Sequence, residues 1–181
     1  MSSDVVLTTE RLVLRSLTLD DAPDIQRLAS AYEVALNTLS IPHPYPEGAA
    51  EEWIRMHTET GEETVFAIVL RDGDEFIGTI GLRVHRDYDR GELGYWIGVP
   101  YWGRGYAPEA ARTVMKYGFE TLNLNKIFAA HFGRNPSSGR VMQKLGMQYE
   151  GTLRQHHKKW DEYLDAVMYS TLKSEWESAE D

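Results

Sequence analysis

The sequence predicts an α/β (α+β) domain built on a mixed, mostly antiparallel sheet. Three observations carry this expectation. Short strand patterns alternate with amphipathic helix patterns, a continuous apolar run lies near mid-chain, and a glycine-containing loop joins a strand to a helix. The chain has 181 residues, which suits one domain with a sizeable core.

The first elements follow from periodicity and from helix start signals. Alternating leucines predict a strand at residues 11–18. Two aspartates and an early proline then predict a helix that reaches Ala31. The three prolines at 41–48 exclude regular structure there, and an amphipathic helix follows at 49–59.

The middle of the chain is rich in strand patterns. The run TVFAIVL at 64–70 is typical of a strand buried on both faces. An Asp-Gly hairpin signal separates it from a returning strand at 75–85, and another strand follows at 92–99. The remaining expected elements are a helix at 108–122, a strand at 125–132, a helix from Asn135 to Leu145, and strands at 147–157 and 163–173.

Composition excludes several classes of protein. There are no cysteines, so disulfides, thiolate metal sites and cysteine-linked intermediates are excluded. The formal net charge of −9 argues against general nucleic-acid binding, which needs basic patches. No apolar run approaches the roughly 20 residues of a membrane helix. The first ten residues lack a signal-peptide pattern, so we expect a cytoplasmic protein. The histidines show no ligand spacing, and we expect no metal.

The stretch YWGRGYAPEA, residues 101–110, lies between a strand and a helix. Such a loop is typical of an anion site, because a helix start presents unpaired N–H groups and a partial positive charge. Gly103 and Gly105 allow close approach of the backbone, and Arg104 adds charge. A P-loop would need a Lys-Ser/Thr pair, and a dinucleotide fingerprint would need a third glycine where Pro108 stands. The residues alone leave a simple strand-to-helix turn open as the alternative.

Two longer segments carry a resemblance to a known family. They are GELGYWIGVPYWGRGYAPEAARTVMKYGFETLNLNKI and NPSSGRVMQKLGMQYEGTLRQ. With the opening TERLVLRSLTLDDA and the closing YLDAVMYSTL, the chain resembles the RimJ/RimL-type branch of the GNAT superfamily of acyl-CoA-dependent N-acetyltransferases. The resemblance covers residues 8–174, which we take as the domain, and leaves 175–181 as an acidic, frayed tail. Residues 102–107 match the superfamily loop Gln/Arg-x-x-Gly-x-Gly/Ala except at Trp102.

The resemblance implies a fold and a co-substrate. The fold is a single GNAT-like domain with six to seven strands, about four helices and two central strands that splay apart. The co-substrate is acetyl-CoA, whose pantetheine arm lies in the gap and pairs with the backbone near Ile97 and Val99. The pyrophosphate is held by the N–H groups of four consecutive loop residues: Arg104, Gly105, Tyr106 and Ala107.

The resemblance also implies catalytic roles. Asn135 contacts the pantetheine arm, and Ser138 protonates the leaving thiolate. From the residues alone, Asn-Pro-Ser-Ser is equally a good helix start with Asn135 as N-cap. The general base stays open between His157, Glu92 and a water chain without a single base. His157 stands where this branch carries an acidic residue.

Five further residues are candidates for ligand contact. Arg140 and Lys144 lie one helical turn apart after Asn135 and are candidates for the CoA phosphates, with a solvated face as the alternative. The resemblance places the loop at 41–48 beside the acceptor. His43, Tyr45 and Trp53 are therefore candidates for an acceptor groove, with a covering loop as the alternative.

We therefore expect direct acetyl transfer from acetyl-CoA to a primary amine. A protein N-terminal α-amine of the ribosomal-protein type is the first expectation. A small-molecule amine (polyamine, amino acid or antibiotic) and a non-catalytic acyl-CoA sensor are the alternatives. The expected partners are acetyl-CoA and the amine, without nucleic acid or membrane, and the expected state is a monomer or homodimer.

Overall fold

The computed structural model describes residues 5–60 and 63–180. Residues 1–4, 61–62 and 181 lie outside the described part. The strands are β1 (Leu7–Thr8), β2 (Leu12–Ser16), β3 (Glu63–Leu70), β4 (Phe76–His85), β5 (Arg90–Ile97), β6 (Lys126–Phe132), β7 (Gln148–Lys159) and β8 (Glu162–Leu172). The helices are α1 (Ala22–Ala29), α2 (Tyr32–Asn37), α3 (Ala49–Thr60), α4 (Tyr106–Lys116), α5 (Pro136–Lys144) and α6 (Lys173–Glu180). Within these ranges no helix combines the length and apolar character that crossing a bilayer requires.

The strands form one sheet in the order β1-β2-β3-β4-β5-β6-β8-β7. Every neighbouring pair is antiparallel except β5 and β6, which are parallel. The predicted fold class is therefore confirmed. The strand count among the described residues exceeds the expected six to seven because β1 adds to it. With only two residues, β1 is too short to show an alternation pattern in the sequence.

The two central strands separate along their length. The parallel register of β5 and β6 holds only from Arg90 to Glu92 on one strand and from Lys126 to Phe128 on the other. Beyond that point β5 stays paired with β4 as far as Ile97, and β6 stays paired with β8 as far as Phe132. Each strand thus follows its outer neighbour, and a V-shaped gap opens between them. The expected splay is confirmed.

Helices cover both faces of the sheet centre. Four consecutive residues of β3, Phe66–Val69, are at most 3% exposed, as the apolar run at 64–70 predicts. The buried stretch of β4 runs from Phe76 to Leu82. Helices α1 and α3 pack on each other and on β4 and β3 respectively, whereas α4 packs on β4 and β5. This core fixes the strands that border the gap.

Two local expectations need correction. The strand expected at 92–99 ends at Ile97, because Pro100 takes part in a 3₁₀ turn at Val99–Tyr101. The helices number six in the described part rather than about four, because α2 and α6 carry weak sequence signals. Helix α2 is only six residues long and has no polar N-cap, since Ala31 stands there.

The C-terminal end is also more ordered than its composition predicts. Helix α6 continues directly from β8 as far as Glu180. Its Trp176 is 5% exposed, and its ring lies 5.4 Å from that of Phe119. The expected frayed end at 175–181 is therefore wrong over the described residues, because one aromatic side chain ties the segment to the core. The domain limits 8–174 stay a prediction.

We predict that Trp176→Ala lowers the free energy of unfolding by about 3 kcal/mol, because it leaves a cavity against Phe119. Urea denaturation followed by circular dichroism measures this. The control is Glu177→Ala on the exposed face of α6, with an expected change below about 0.5 kcal/mol. A Trp176→Ala value as small as that of the control would show that α6 contributes nothing to the core.

Candidate active site

A cleft of about 900 Å³ opens where β5 and β6 diverge. The glycine loop and α5 line one end of it, and α3 with the segment before it lines the other. Side chains from both diverging strands, including Tyr95 and His131, lie between the two ends. The volume is at the upper end of what single small-molecule sites have, so the cleft has room for two ligands that meet at its centre.

The glycine loop has the backbone conformation of a ligand cradle. Gly103 and Gly105 have φ values of 73° and 81°, which side-chain-bearing residues rarely adopt. A Cβ built on Gly103 would point into open space. Gly105 is the N-cap of α4, so the first N–H groups of that helix face the loop. Gly105, Tyr106 and Ala107 line the cleft as expected, and the exposed Arg104 lies outside its lining.

Thr9 and Arg11, near the N-terminal end of the chain, hold the glycine loop in place through hydrogen bonds, and we call these contacts the brace. The Glu109 carboxylate in the first turn of α4 accepts hydrogen bonds from Thr9 Oγ1 at 2.6 Å, Arg11 N at 3.0 Å and Arg11 Nε at 2.7 Å. Arg11 Nη1 donates to the Arg104 carbonyl at 2.9 Å, and its guanidinium lies 4.7 Å from the Tyr106 ring centre. Burial acts to raise the pKa of Glu109, but the bonds from Thr9 and Arg11 outweigh it and lower that pKa.

Two hydroxyls bridge the gap at its centre. Tyr95 Oη, from β5, lies 2.9 Å from Ser138 Oγ, from the first turn of α5. Burial raises the pKa of Tyr95 to about 12, although the bond to Ser138 acts in the opposite direction. The phenol is therefore protonated at neutral pH and can donate. Tyr95 was not among the residues that the sequence singled out for a role.

Asn135 holds Ser138 in place. Its Oδ1 accepts from Ser138 N at 3.3 Å, which confirms the N-cap interpretation. Helix α5 also lies tightly on β6, since a Cβ on Gly139 would be 2.7 Å from the His131 ring. Asn135 and Ser138 both line the cleft. Capping thus fixes the hydroxyl, and a ligand contact by Asn135 stays a prediction.

The two candidate bases lie close enough for the charge of Glu92 to act on His157. His157 and Glu92 both line the cleft, and the His157 ring packs 5.8 Å from that of Phe132. Burial, followed by the neighbouring His156, lowers the pKa of His157, while Glu92 acts in the opposite direction. The imidazole is therefore neutral at pH 7, the form that accepts a proton.

Sequence similarity assigns this fold and its cleft to a known family. The "Acetyltransferase (GNAT) domain" family matches residues 11–148. The chain belongs to the GNAT acetyltransferase family.

Related proteins support the assignment over almost the full length. The uncharacterized N-acetyltransferase p20 of Bacillus licheniformis is 35% identical over 174 residues, which are 94% of this chain and 97% of the relative. The [ribosomal protein uS5]-alanine N-acetyltransferase of Escherichia coli (strain K12) is 28% identical over 183 residues, which are 95% of this chain and 93% of the relative.

Solved structures share the fold. A GNAT-family acetyltransferase from Bacillus anthracis has a TM-score of 0.85 at 26% identity, over 94% of this chain and 100% of that one. Spermidine N-acetyltransferase from Vibrio cholerae, solved with CoA and spermine, has a TM-score of 0.81 over 93% of this chain and 99% of that one. Its identity of 23% supports the fold alone.

As a GNAT acetyltransferase, the protein is an enzyme that uses acetyl-CoA as acetyl donor. The residues present fit this donor, since a cradle with open space at Gly103 lies at the end of the cleft. Arg140 and Lys144 line the same end from the exposed face of α5. Arg140 Nη2 also donates to Ser137 Oγ at 2.8 Å. No group of three potential metal-ligating side chains occurs among residues that the structure describes.

The structure does not leave the backbone of Ile97 and Val99 as free for pantetheine as the sequence analysis expected. The Ile97 carbonyl accepts from Trp102 Nε1 at 2.6 Å, so the protein itself uses that acceptor. Val99 lies in the 3₁₀ turn and outside the lining of the cleft, and its carbonyl accepts from Trp102 N at 3.2 Å. The expected role of Val99 rested on a longer strand, and the strand ends before it.

Two of the three acceptor candidates line the cleft, and the third does not. Tyr45 and Trp53 line the cleft at the end away from the glycine loop. His43 is exposed and packs edge-on against Tyr32 at 5.2 Å, outside the lining. The proline-containing loop therefore places one of its two candidate rings at the cleft.

We predict that Arg11→Met weakens acetyl-CoA binding about tenfold, because the loop loses its charged brace. Isothermal titration calorimetry measures the Kd. Arg11→Lys keeps the positive charge but loses the several planar N–H donors of the guanidinium, so a Kd between those of the parent and Arg11→Met is expected. Lys116→Met, an exposed cation later in α4, serves as the control. An unchanged Kd in Arg11→Met would show that the loop needs no brace.

Proposed function

We propose that the enzyme acetylates the α-amine of a polypeptide N-terminus. The observation that carries this is the charge of the cleft, in which Glu92 is the one carboxylate among the described lining residues. Three cations line the same cleft: Arg83, Arg140 and Lys144. Arg140 and Lys144 lie at the glycine-loop end, so the described lining of the rest of the cleft has one carboxylate, Glu92, and one cation, Arg83. Such a site suits an acceptor with a single ammonium group and disfavours a polyamine, whose several ammonium groups each need a counter-charge.

The base that the cleft offers also suits an α-amine. An α-amine has a pKa of about 7.7–8.0, whereas a lysine amine has about 10.4. A neutral imidazole with a lowered pKa is a weak base, so it can deprotonate the first more readily than the second. We assign proton removal to His157, and to Glu92 the attraction of the incoming ammonium group.

The Tyr95–Ser138 pair supplies the proton that the leaving thiolate needs. The neutral amine nitrogen attacks the thioester carbonyl, and the C–N bond forms. As the C–S bond breaks, the nitrogen releases its surplus proton to solvent and the leaving thiolate takes up a proton from the pair. The pair lies at the centre of the cleft, and its phenol is protonated at neutral pH. Because the chain has no cysteine, transfer is direct and needs no cysteine-bound acetyl group.

The far end of the cleft supports a peptide. Tyr45 and Trp53 give it an aromatic lining that can hold the first side chain of the acceptor. The E. coli relative is named for alanine acetylation in ribosomal protein uS5, which is in line with a small first residue. A ribosomal-protein N-terminus is therefore the acceptor that we propose to test first.

We predict turnover with Ala- and Ser-initiated peptides. Their kcat/KM should exceed that of N-terminally blocked, lysine-containing versions by about a hundredfold, because only the free α-amine meets a suitable base. A thiol reagent reads CoA release without background, since the protein has no cysteine. Spermidine and an aminoglycoside are the comparison acceptors. A higher kcat/KM for either of these would overturn the peptide assignment and leave the acetyltransferase assignment intact.

We also predict a specific pH dependence. His157 must be neutral to accept a proton, and its lowered pKa keeps it neutral to more acid pH. The acid limb of kcat should therefore lie below about pH 6.5, the ordinary histidine value, and kcat should fall about a hundredfold in His157→Gln. His156→Gln is the control, and it should move the limb upward, because His156 lowers the pKa of His157. A limb that survives in His157→Gln and disappears in Glu92→Gln would assign the base to Glu92.

A further inference from the structure

The acceptor end of the cleft has a wall with little regular structure of its own. We call residues 36–41, which run from the end of α2 toward α3, the acceptor wall. Its members from Asn37 onward all line the cleft, together with Pro42. Helix α2 ends at Asn37, so the following backbone groups lack helical partners. Something else must fix the path of this segment.

Two cations from distant parts of the chain bind the main-chain carbonyls of the wall. Arg134 Nη2 donates to the Leu36 carbonyl at 2.7 Å. Lys159 Nζ donates to the Leu39 carbonyl at 3.2 Å and to the Ile41 carbonyl at 2.8 Å. Three carbonyls within six residues are thus held by two side chains.

Lys159 is an unusual residue for such a task. It is only 5% exposed, although lysine is rarely buried without a carboxylate partner. Among the side chains that the structure describes, Lys159 forms no ion pair with a carboxylate, whereas Arg134 pairs with Glu162. Burial and the nearby Arg134 lower the pKa of Lys159. The buried amine is therefore compensated by the two carbonyls and by the Trp160 ring, whose centre lies 5.0 Å from Lys159 Nζ. Lys159 and the acceptor wall thus stabilise each other.

The same two cations are next to the catalytic side chains in sequence. Arg134 immediately precedes Asn135, the N-cap that holds Ser138. Lys159 follows two residues after His157 on β7. A ring stack adds to the link, since Tyr32 of α2 lies 5.9 Å from Trp160 with an interplanar angle of 8°. The acceptor wall is thus tied to the elements that carry the proposed acid and base.

We propose that Arg134 and Lys159 are positioning residues that fix the acceptor wall at the distance from Ser138 and His157 that the amine requires. The inference rests on the proposed function only in placing the amine at this end of the cleft. Neither cation touches the reacting atoms. Their loss should loosen the wall and weaken amine binding while the glycine loop, at the opposite end, stays unchanged.

The test uses Lys159→Met, which keeps an unbranched apolar side chain and removes the charge. Hydrogen–deuterium exchange should become about tenfold faster in the peptide that covers residues 37–42 and should stay unchanged around the glycine loop. The KM for the amine should rise about tenfold with the Kd of acetyl-CoA unchanged. Lys158→Met is the matched control, because Lys158 is exposed and packs over Tyr163.

Two further variants guard against loss of the fold. Lys159→Arg keeps donors for the two carbonyls and should restore part of the amine KM, and Arg134→Lys should loosen residue 36 alone. The positioning role would be overturned if Lys159→Met left hydrogen–deuterium exchange at residues 37–42 unchanged. A rise of the acetyl-CoA Kd equal to that of the amine KM would overturn it as well. The exchange result does not depend on which amine is acetylated. A preference for spermidine would therefore overturn the peptide proposal, whereas the exchange experiment would still test the positioning role of Arg134 and Lys159.

Discussion

The loss of pairing between β5 and β6 after Glu92 and Phe128 is the constraint on which the whole site depends. A parallel pair that stayed in register would close the sheet and leave no cleft. The two strands separate because each follows an antiparallel neighbour, β4 for β5 and β8 for β6. The gap then places Tyr95 of one strand opposite Ser138, which follows the other. Trp102 already occupies the Ile97 carbonyl at the end of β5, so part of the backbone at this opening is paired within the protein.

Charged side chains from remote sequence positions hold both ends of this gap. At the glycine-loop end, Arg11 binds Glu109 and the Arg104 carbonyl of the loop. At the acceptor end, Arg134 and Lys159 bind carbonyls of the acceptor wall. In each case a cation donates to main-chain carbonyls: that of Leu36 lies in the last turn of α2, and the others lie in segments without regular structure. Hydrogen bonds from charged donors are stronger than neutral ones, so a few of them can fix a loop that packing alone leaves free.

The sequence predicted the fold class and the splayed strands, and it singled out the glycine loop that lines one end of the cleft, because those depend on local patterns and on a long resemblance. Ser138 and Asn135 were predicted for the same reason. Tyr95, Arg11 and Lys159 received no role from the sequence, because their partners are far away along the chain. The partner of Tyr95 lies 43 residues away, those of Arg11 lie 98 and 93 residues away, and those of Lys159 lie 120 and 118 residues away. Pairing over such separations leaves no periodic signal in a single sequence. Trp176 was missed because one aromatic residue among acidic neighbours does not form an apolar stripe.

We propose that the hydroxyls of Tyr95 and Ser138 act as one proton donor at the centre of the gap. A double-mutant cycle with Tyr95→Phe and Ser138→Ala, read as kcat at saturating acetyl-CoA, tests it most directly. If the pair acts as a unit, each single variant should lose about a hundredfold, and the double variant should lose no more than either. Losses that multiply in the double variant would contradict the account, because the two hydroxyls would then act independently.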